Sequence, residues 1–181
     1  MVPIAFHINY WDRLGWKDPF ATEKFTERQY NYSRSGRISS VYTPCLIVNG
    51  KEWRGWFSGN KLNPERTESG VLTATLIGDH LEADYTENNE PLELHVVILG
   101  FDLYTDIRRG ENRNKRLRQE FVALSHEKYK SSDGHWSVKL DKIPNNGSKR
   151  IGIALWLIKT GSIAPIQATG GWLPDDTTIS K

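Results

Sequence analysis

The second half of the chain constrains the fold most strongly, because apolar and polar residues alternate there with a period of two. In "VLTATLIGDHLEADY" two such stretches flank Gly78-Asp79, which predicts a hairpin. A long strand "LELHVVILGFDLYTDI", a strand "HWSVKLDKI", and a last pair "RIGIALWLI" and "SIAPIQA" around Thr160-Gly161 follow. Many short strands at regular spacing predict an antiparallel β-sandwich. The segment "NKRLRQEFVALSHEKYK" fits either a strand or a helix.

The first part of the chain has a different pattern, typical of an α/β unit. "VPIAFHINYW" is apolar on both of its faces, which predicts a strand buried between layers. Asp18-Pro19 offers an N-cap and a proline at the first position of a helix that runs to about Arg34. Gly36 suits the left-handed residue that ends such a helix.

A hairpin is predicted next, because Asn49-Gly50 is a strong two-residue turn signal. Leu46 to Val48 forms its first strand, and Glu52 to Phe57 forms the return strand, whose aromatic residues we expect to pack in the core. The predicted fold class is α+β. The predicted organisation is an α/β unit over residues 1–60, a linker over 61–69, a β-sandwich-like domain over 70–175 and a tail over 176–181.

Composition excludes several classes of function. The net charge of +2 gives no global field that favours nucleic acid, and no apolar run reaches the ~20 residues of a membrane span. The single cysteine excludes an internal disulfide framework. A basic run between residues 108 and 118 lacks interleaved aromatic side chains, so a solvated loop is expected, with "RRGEN" as a tight turn. The five scattered histidines lack metal-ligand spacing, and no cofactor is predicted.

Several spaced motifs resemble one protein family. "AFHINYWDRLGWKDPFA", the "ERQYNYS" helix, "SVYTP" followed by "VNG", and "RRGENRNKRL" are similar to domain-of-unknown-function family 1223. The resemblance implies a secreted bacterial protein with a thioredoxin-like domain and a β-rich C-terminal part. It also implies that Pro44 is a cis-proline at the start of a strand, which in such folds faces the redox dithiol. Secretion or a periplasmic location is expected from the resemblance alone.

The sequence departs from the family pattern at the segment that would carry the chemistry. Family members usually begin with a signal peptide and with a strand and helix that hold two cysteines, and neither feature is present here. Cys45 stands where Gln or Gly is typical, and Arg113-Asn114 replace a small residue and a glycine. Without the missing strand, backbone groups of its two neighbours lose their partners. We therefore expect a truncated reading, a rearranged sheet, or a strand recruited from another molecule.

The candidate site residues cluster around two segments. Cys45 is the candidate catalytic thiol, although a small buried core residue is the commoner role of a lone cysteine. Thr43 and Pro44 are expected to bind the backbone of a protein or peptide by strand-like pairing. The proposed rim of the site consists of His7, Asn9, Trp11 and Asp12. The alternative for the rim is a capped histidine and tryptophans that fill a layer.

Two hypotheses about function follow. The first is a protein derived from a thiol–disulfide exchange family that is inactive as a dithiol oxidoreductase in this form, because one cysteine cannot complete the cycle. The second is a non-catalytic binding module that uses the β-sandwich, with the α/β part as a scaffold or as a homo-oligomer interface through the unfilled sheet position. Nucleic acid and membrane partners are not expected.

Overall fold

The fold is α+β, as predicted, with one α-helix and eleven strands in the described part of the chain. The computed structural model describes residues 3–63, 69–87, 90–109 and 113–174. Short 3-10 helices lie at Asp12–Leu14 and Gly55–Ser58. The elements in chain order are α1 (Glu23–Arg34), β1 (Ile47–Val48), β2 (Lys51–Glu52), β3 (Leu72–Ile77), β4 (His80–Tyr85), β5 (Leu92–Phe101), β6 (Leu103–Asp106), β7 (Arg116–Gln119), β8 (Val122–Ser131), β9 (His135–Lys139), β10 (Arg150–Lys159) and β11 (Pro165–Trp172).

Two antiparallel sheets pack face to face in the second half of the chain, as the period-two pattern predicts. The larger sheet has the order β11-β10-β5-β8 and the smaller has the order β3-β4-β9. Apolar side chains from both sheets, among them Leu81, Leu94 and Leu157, form the core between them. The layer between the sheets therefore holds the largest part of the hydrophobic core.

The opposite face of the larger sheet is also covered, which explains why β5 and β10 are buried along most of their length. Phe25 of α1 packs there against a second core cluster that includes Val97 and Ala154. Phe6, from the N-terminal segment, adds an edge-to-face contact with Phe25 at 5.2 Å. The helix and the N-terminal segment thus form a third layer on the sandwich.

The predicted N-terminal strand is wrong in extent. Among the described residues of this segment, only Ala5 has a strand partner, through a parallel bridge to Val122. The Ala5 amide donates to the Phe121 carbonyl at 2.8 Å, and the Ala5 carbonyl accepts from Ala123 at 3.0 Å. Its apolar pattern is explained by contact with α1 and the larger sheet instead of by insertion into a parallel sheet. Val2, the predicted first residue of the strand, lies outside the described residues.

The predicted start of the helix is also wrong. Thr22 is the N-cap, and its Oγ1 accepts a hydrogen bond from the Phe25 amide at 3.2 Å. The Asp18 carboxylate is engaged elsewhere, by the Phe20 amide at 2.9 Å and by the His7 ring at 2.7 Å. Asp18 therefore closes a local turn before the helix begins.

Three further differences concern strand ends. The return strand of the first hairpin ends at Glu52, and a 3-10 helix takes the place of its predicted second half. The long strand that starts at Leu92 is interrupted at Asp102, where φ is +53°. The ambiguous segment forms β7 and β8, separated at Phe121, where φ is +57°. Each interruption lies where the backbone leaves the extended region, which the apolar pattern does not record.

Candidate functional site

The predicted Thr43-Pro44 loop lies at the surface beside α1, and its Thr43–Pro44 peptide bond is cis, as predicted. Two side chains hold it. The Trp11 indole Nε1 donates to Thr43 Oγ1 at 2.8 Å, and Gln29 Nε2 donates to the Tyr42 carbonyl at 2.7 Å. The structure therefore brings together the N-terminal loop, the helix and the loop that precedes β1.

Cys45 lies half-buried just after this loop and is a free cysteine. Burial raises the pKa of its thiol above the usual value, and the hydrogen bonds with Tyr42 and Gln29 only partly oppose this effect. Because the thiolate is the reactive form, this environment disfavours a nucleophilic thiol at neutral pH. A catalytic role for Cys45 therefore stays a prediction that this environment does not support.

A carboxylate lies beneath the loop and is fully engaged there. Glu52 accepts hydrogen bonds from the Ser39 amide at 3.0 Å and from the Tyr42 hydroxyl at 2.7 Å. These bonds, with the one from Tyr42 contributing most, lower the pKa of Glu52. Burial raises the pKa of the Tyr42 phenol. Glu52 is therefore ionised and accepts a hydrogen bond from the neutral Tyr42 hydroxyl, and this bond anchors the loop on β2.

The interior of the loop is polar and incompletely satisfied. Among the described residues, three buried side-chain atoms have no hydrogen-bond partner: Tyr10 Oη, Gln29 Oε1 and Thr105 Oγ1. The first two belong to the cluster around the loop, where burial also raises the pKa of the Tyr10 phenol. Gln29 therefore uses its amide nitrogen to hold the loop while its carbonyl oxygen remains unpaired.

The predicted rim residues are placed differently from one another. Trp11 is exposed and contacts the loop directly, as described above. His7 is instead hydrogen-bonded to Asp18. Asn9 is bound to α1: its backbone amide donates to Thr26 Oγ1 at 2.9 Å, and its side-chain Oδ1 accepts from the same hydroxyl at 2.7 Å. Asp12 Oδ1 accepts from the Asp18 amide at 3.2 Å. These three side chains hold the N-terminal segment in place.

Exposed aromatic side chains adjoin the loop, and the sequence pattern does not predict their exposure. Trp56 and Phe57 are 65% and 57% exposed, so the expectation that they pack in the core is wrong. Phe57 lies next to Tyr42, with ring centroids 6.5 Å apart, and Trp11 is 45% exposed. The signal that could have revealed it is "GWFSG", in which the glycines that flank the aromatic residues interrupt a strand.

A buried histidine pair lies under α1, away from the loop. His95 Nδ1 and His126 Nε2 are 2.9 Å apart, and His95 Nε2 lies 3.0 Å from the Glu93 carboxylate. Both imidazoles pack on the Trp156 indole. Burial lowers the pKa of His95 to about 4 and lowers the pKa of His126 as well. The two imidazoles form a neutral hydrogen-bonded pair: His126 Nε2 donates to His95 Nδ1, and His95 Nε2 donates to the Glu93 carboxylate.

The remaining titratable clusters lie on the outside of the sandwich. His80 and His135 flank the Glu82 carboxylate on the exposed face of the smaller sheet, at 2.6 and 3.5 Å. Within the residues the structure describes, no group of three histidine, cysteine, aspartate or glutamate side chains is placed to hold a metal ion. No helix in that part of the chain is long and apolar enough to span a bilayer.

The basic run between residues 108 and 118 is partly neutralised in the structure. Arg118 forms ion pairs with Asp102 and Glu120, and Arg116 lies 4.7 Å from the Tyr104 ring centroid. The centre of the predicted "RRGEN" turn, residues 110–112, lies outside the described residues. Arg116 and Arg118 of the run are therefore paired with neighbouring side chains on the hairpin of β6 and β7.

Comparison with known proteins identifies the fold and the family. A crystal structure of a protein from Agrobacterium tumefaciens is similar over 98% of this chain and 82% of that one, with a TM-score of 0.65 and 21% sequence identity. This similarity supports the fold alone. Among curated proteins there is no significant match. The model of the DUF1223 family, described as a protein of unknown function, matches residues 1–157, and the chain therefore belongs to the DUF1223 family.

Proposed function

We propose that the chain is a polypeptide-binding module whose binding surface is the Thr43-Pro44 loop and the adjoining edge of β1. One observation carries the proposal: the loop is exposed and leads directly into a strand that is hydrogen-bonded on one side only in the described part of the chain. The Trp53 amide donates to the Leu46 carbonyl at 2.8 Å, so Ile47 directs its own amide and carbonyl to the opposite edge. An extended peptide can pair with such an edge.

The aromatic surface supports the same proposal. Trp11 and Phe57 are exposed aromatic side chains that contact the loop at Thr43 and Tyr42, and the exposed Trp56 precedes Phe57 in the chain. Peptide recognition by strand addition combines main-chain hydrogen bonds with pockets or platforms for alternate side chains. Aromatic rings supply large contact areas at low cost in conformational entropy. The surface thus offers both components of that binding mode.

The proposal includes no redox chemistry for this chain. The thioredoxin-like ancestry implied by the family resemblance remains a hypothesis, as do secretion and a periplasmic location. The raised pKa of the Cys45 thiol and the lack of a second cysteine in the 181 residues both disfavour a dithiol cycle. In a disulfide reduction assay with insulin we expect no turnover by this chain. Turnover would contradict this expectation and favour thiol–disulfide exchange as the function.

The direct test measures binding of an unfolded polypeptide whose cysteines are blocked, such as carboxymethylated α-lactalbumin, by fluorescence anisotropy. Phe57→Ser and Trp11→Ala should each weaken binding about tenfold, because loss of a buried aromatic anchor typically costs more than ~1 kcal/mol. Ile77→Ser is the control, since Ile77 is also a large exposed apolar side chain but lies on the smaller sheet. Equal effects of Phe57→Ser and Ile77→Ser would contradict the proposal.

A second copy of the chain is the alternative occupant of the same edge. Two β1 edges can pair with each other around a twofold axis, which would make the unfilled sheet position a homodimer interface. Sedimentation over a range of concentrations separates the two cases. A monomer that binds the unfolded polypeptide supports the proposal, whereas a dimer that excludes it supports the homo-oligomer.

A further inference from the structure

The loop surface has a charge pattern that indicates which polypeptides it accepts. Arg13 lies on the N-terminal side, with its guanidinium carbon 5.8 Å from the Trp11 ring centroid. Arg54 lies on the hairpin side, with its guanidinium carbon 5.4 Å from the Tyr42 ring centroid. Both arginines are exposed, and each contacts an aromatic residue that touches or belongs to the Thr43-Pro44 loop.

The two guanidinium groups have few partners in the part of the chain that the structure describes. Arg13 Nε donates to the Tyr10 carbonyl at 3.3 Å. Arg54 makes a long contact of 3.5 Å with Ser39 Oγ, and its Nε lies 3.9 Å from Glu52. Most of the donors on both forks therefore face outward, where a carboxylate can accept two of them at once.

The carboxylates that accompany these arginines in sequence are used inside the protein. Asp12, next to Arg13, accepts from the Asp18 amide. Glu52, two residues before Arg54, accepts from Ser39 and Tyr42, and its side chain is only 13% exposed. Each arginine thus stands beside an acid that is already engaged, and the outer surface of the loop is left cationic and aromatic.

We propose that the segment bound at the Thr43-Pro44 loop is an acidic one, with carboxylate side chains that pair with Arg13 and Arg54 while its backbone pairs with β1. The inference rests on the proposed function and adds the substrate class. Arginine suits this task because its planar fork binds a carboxylate with two parallel hydrogen bonds and remains stacked on an aromatic ring. Complementary charge of this kind selects among partners and speeds their encounter.

The test uses labelled extended peptides of equal length and equal apolar content that carry Glu, Gln or Lys at the same positions. The Glu peptide should bind about tenfold more tightly than the Gln peptide, because two exposed charge pairs each contribute a factor of about three. The Lys peptide should bind more weakly than both. The difference between Glu and Gln should shrink at high salt, where exposed charges are screened.

Variants localise the effect. Arg13→Gln combined with Arg54→Gln should reduce the affinity for the Glu peptide to that for the Gln peptide, with the latter nearly unchanged. Lys139→Gln is the matched control, because Lys139 is an exposed cation on the smaller sheet. A preference for the Glu peptide that persists in the double variant would overturn the inference, since groups other than Arg13 and Arg54 would then bind the peptide carboxylates.

The remaining outcomes separate this inference from the function on which it rests. Equal binding of the Glu and Gln peptides, weakened by Trp11→Ala, would overturn the acidic preference and leave the binding module in place. Failure of all three peptides to bind would overturn both the inference and the proposed function. A native-like circular dichroism spectrum of each variant is required, and both arginines are exposed enough for the fold to tolerate their replacement.

Discussion

The buried pair of His95 and His126 predicts that the protein loses stability in mildly acidic solution. Burial lowers the pKa of His95 to about 4, whereas a histidine in the unfolded chain titrates near 6.5. Between pH 6.5 and pH 4 the histidine is protonated in the unfolded chain but neutral in the folded protein, so the free energy of unfolding falls as the pH falls. One pKa unit corresponds to ~1.36 kcal/mol, so the lowered pKa of His95 alone costs about 3 kcal/mol by pH 4. The lowered pKa of His126 adds to this loss.

The surroundings of the pair explain why the proton is unfavourable and which element it would loosen. Lys24 donates to the His126 carbonyl and forms an ion pair with Glu127 at 3.0 Å. Arg28 lies 5.9 Å from the Trp156 ring centroid on which both imidazoles pack, and Lys128 pairs with Glu93 at 3.3 Å. The positive charges of α1 and β8 therefore face any charge that develops on His126, and only Glu93 favours protonation of His95.

The assay is urea unfolding, followed by tryptophan fluorescence at pH values from 7 to 4, for the wild type and for the variant in which His95 and His126 are both Gln. The wild type should lose at least about 3 kcal/mol more than the variant between about pH 6.5 and pH 4, because the variant lacks both histidines. Carboxylates with lowered pKa values contribute equally to both proteins, and His80→Gln is the exposed control. Parallel curves for the wild type and the double variant would refute the reasoning.

Three further predictions concern the hairpin, the thiol and the helix. Gly147→Ala should cost about 1–2 kcal/mol in thermal unfolding, because Gly147 has a positive φ although none of the described atoms lies within 4 Å of its added Cβ. Gly50→Ala should cost more, because Gly50 also has a positive φ and its added Cβ would lie 2.7 Å from Ala164 Cα. Alkylation of Cys45 at pH 7 should be slower than that of the same thiol in the unfolded chain, because its pKa is raised; an equal rate, measured by mass spectrometry, would contradict this. Thr22→Ala should cost about 1 kcal/mol in chemical unfolding, and no change would show that the cap is dispensable.

The local turns and alternating strands were predictable from sequence because their signals are local. Asn49 and Gly50 have φ values of +48° and +76°, as the two-residue turn requires, and Gly78 has a φ of +61° where the next hairpin turns. The cis peptide before Pro44 was expected from the family resemblance and is present. These features depend on a few neighbouring residues.

The contacts between residues far apart in the chain could not be predicted from local sequence signals. His95 and His126 are 31 residues apart and meet only because β5 and β8 pair in a particular register. Trp56 and Phe57 were expected to be buried because a continuing strand would place them in the core. The chain instead turns after Glu52, whose amide donates to the Arg37 carbonyl at 3.0 Å.

Helix α1 connects the core of the protein with the candidate site. Phe25 anchors it on the larger sheet, Thr26 holds Asn9 and therefore the loop that carries Trp11, and Gln29 holds the carbonyl of Tyr42 next to Thr43. Because these three residues lie within a little more than one helical turn, a tilt of α1 moves both sides of the binding surface together. The helix also covers the histidine pair, so protonation under it would displace the surface as well. Binding at the loop should therefore weaken over the same pH range in which the wild type, but not the variant with Gln in place of His95 and His126, loses stability.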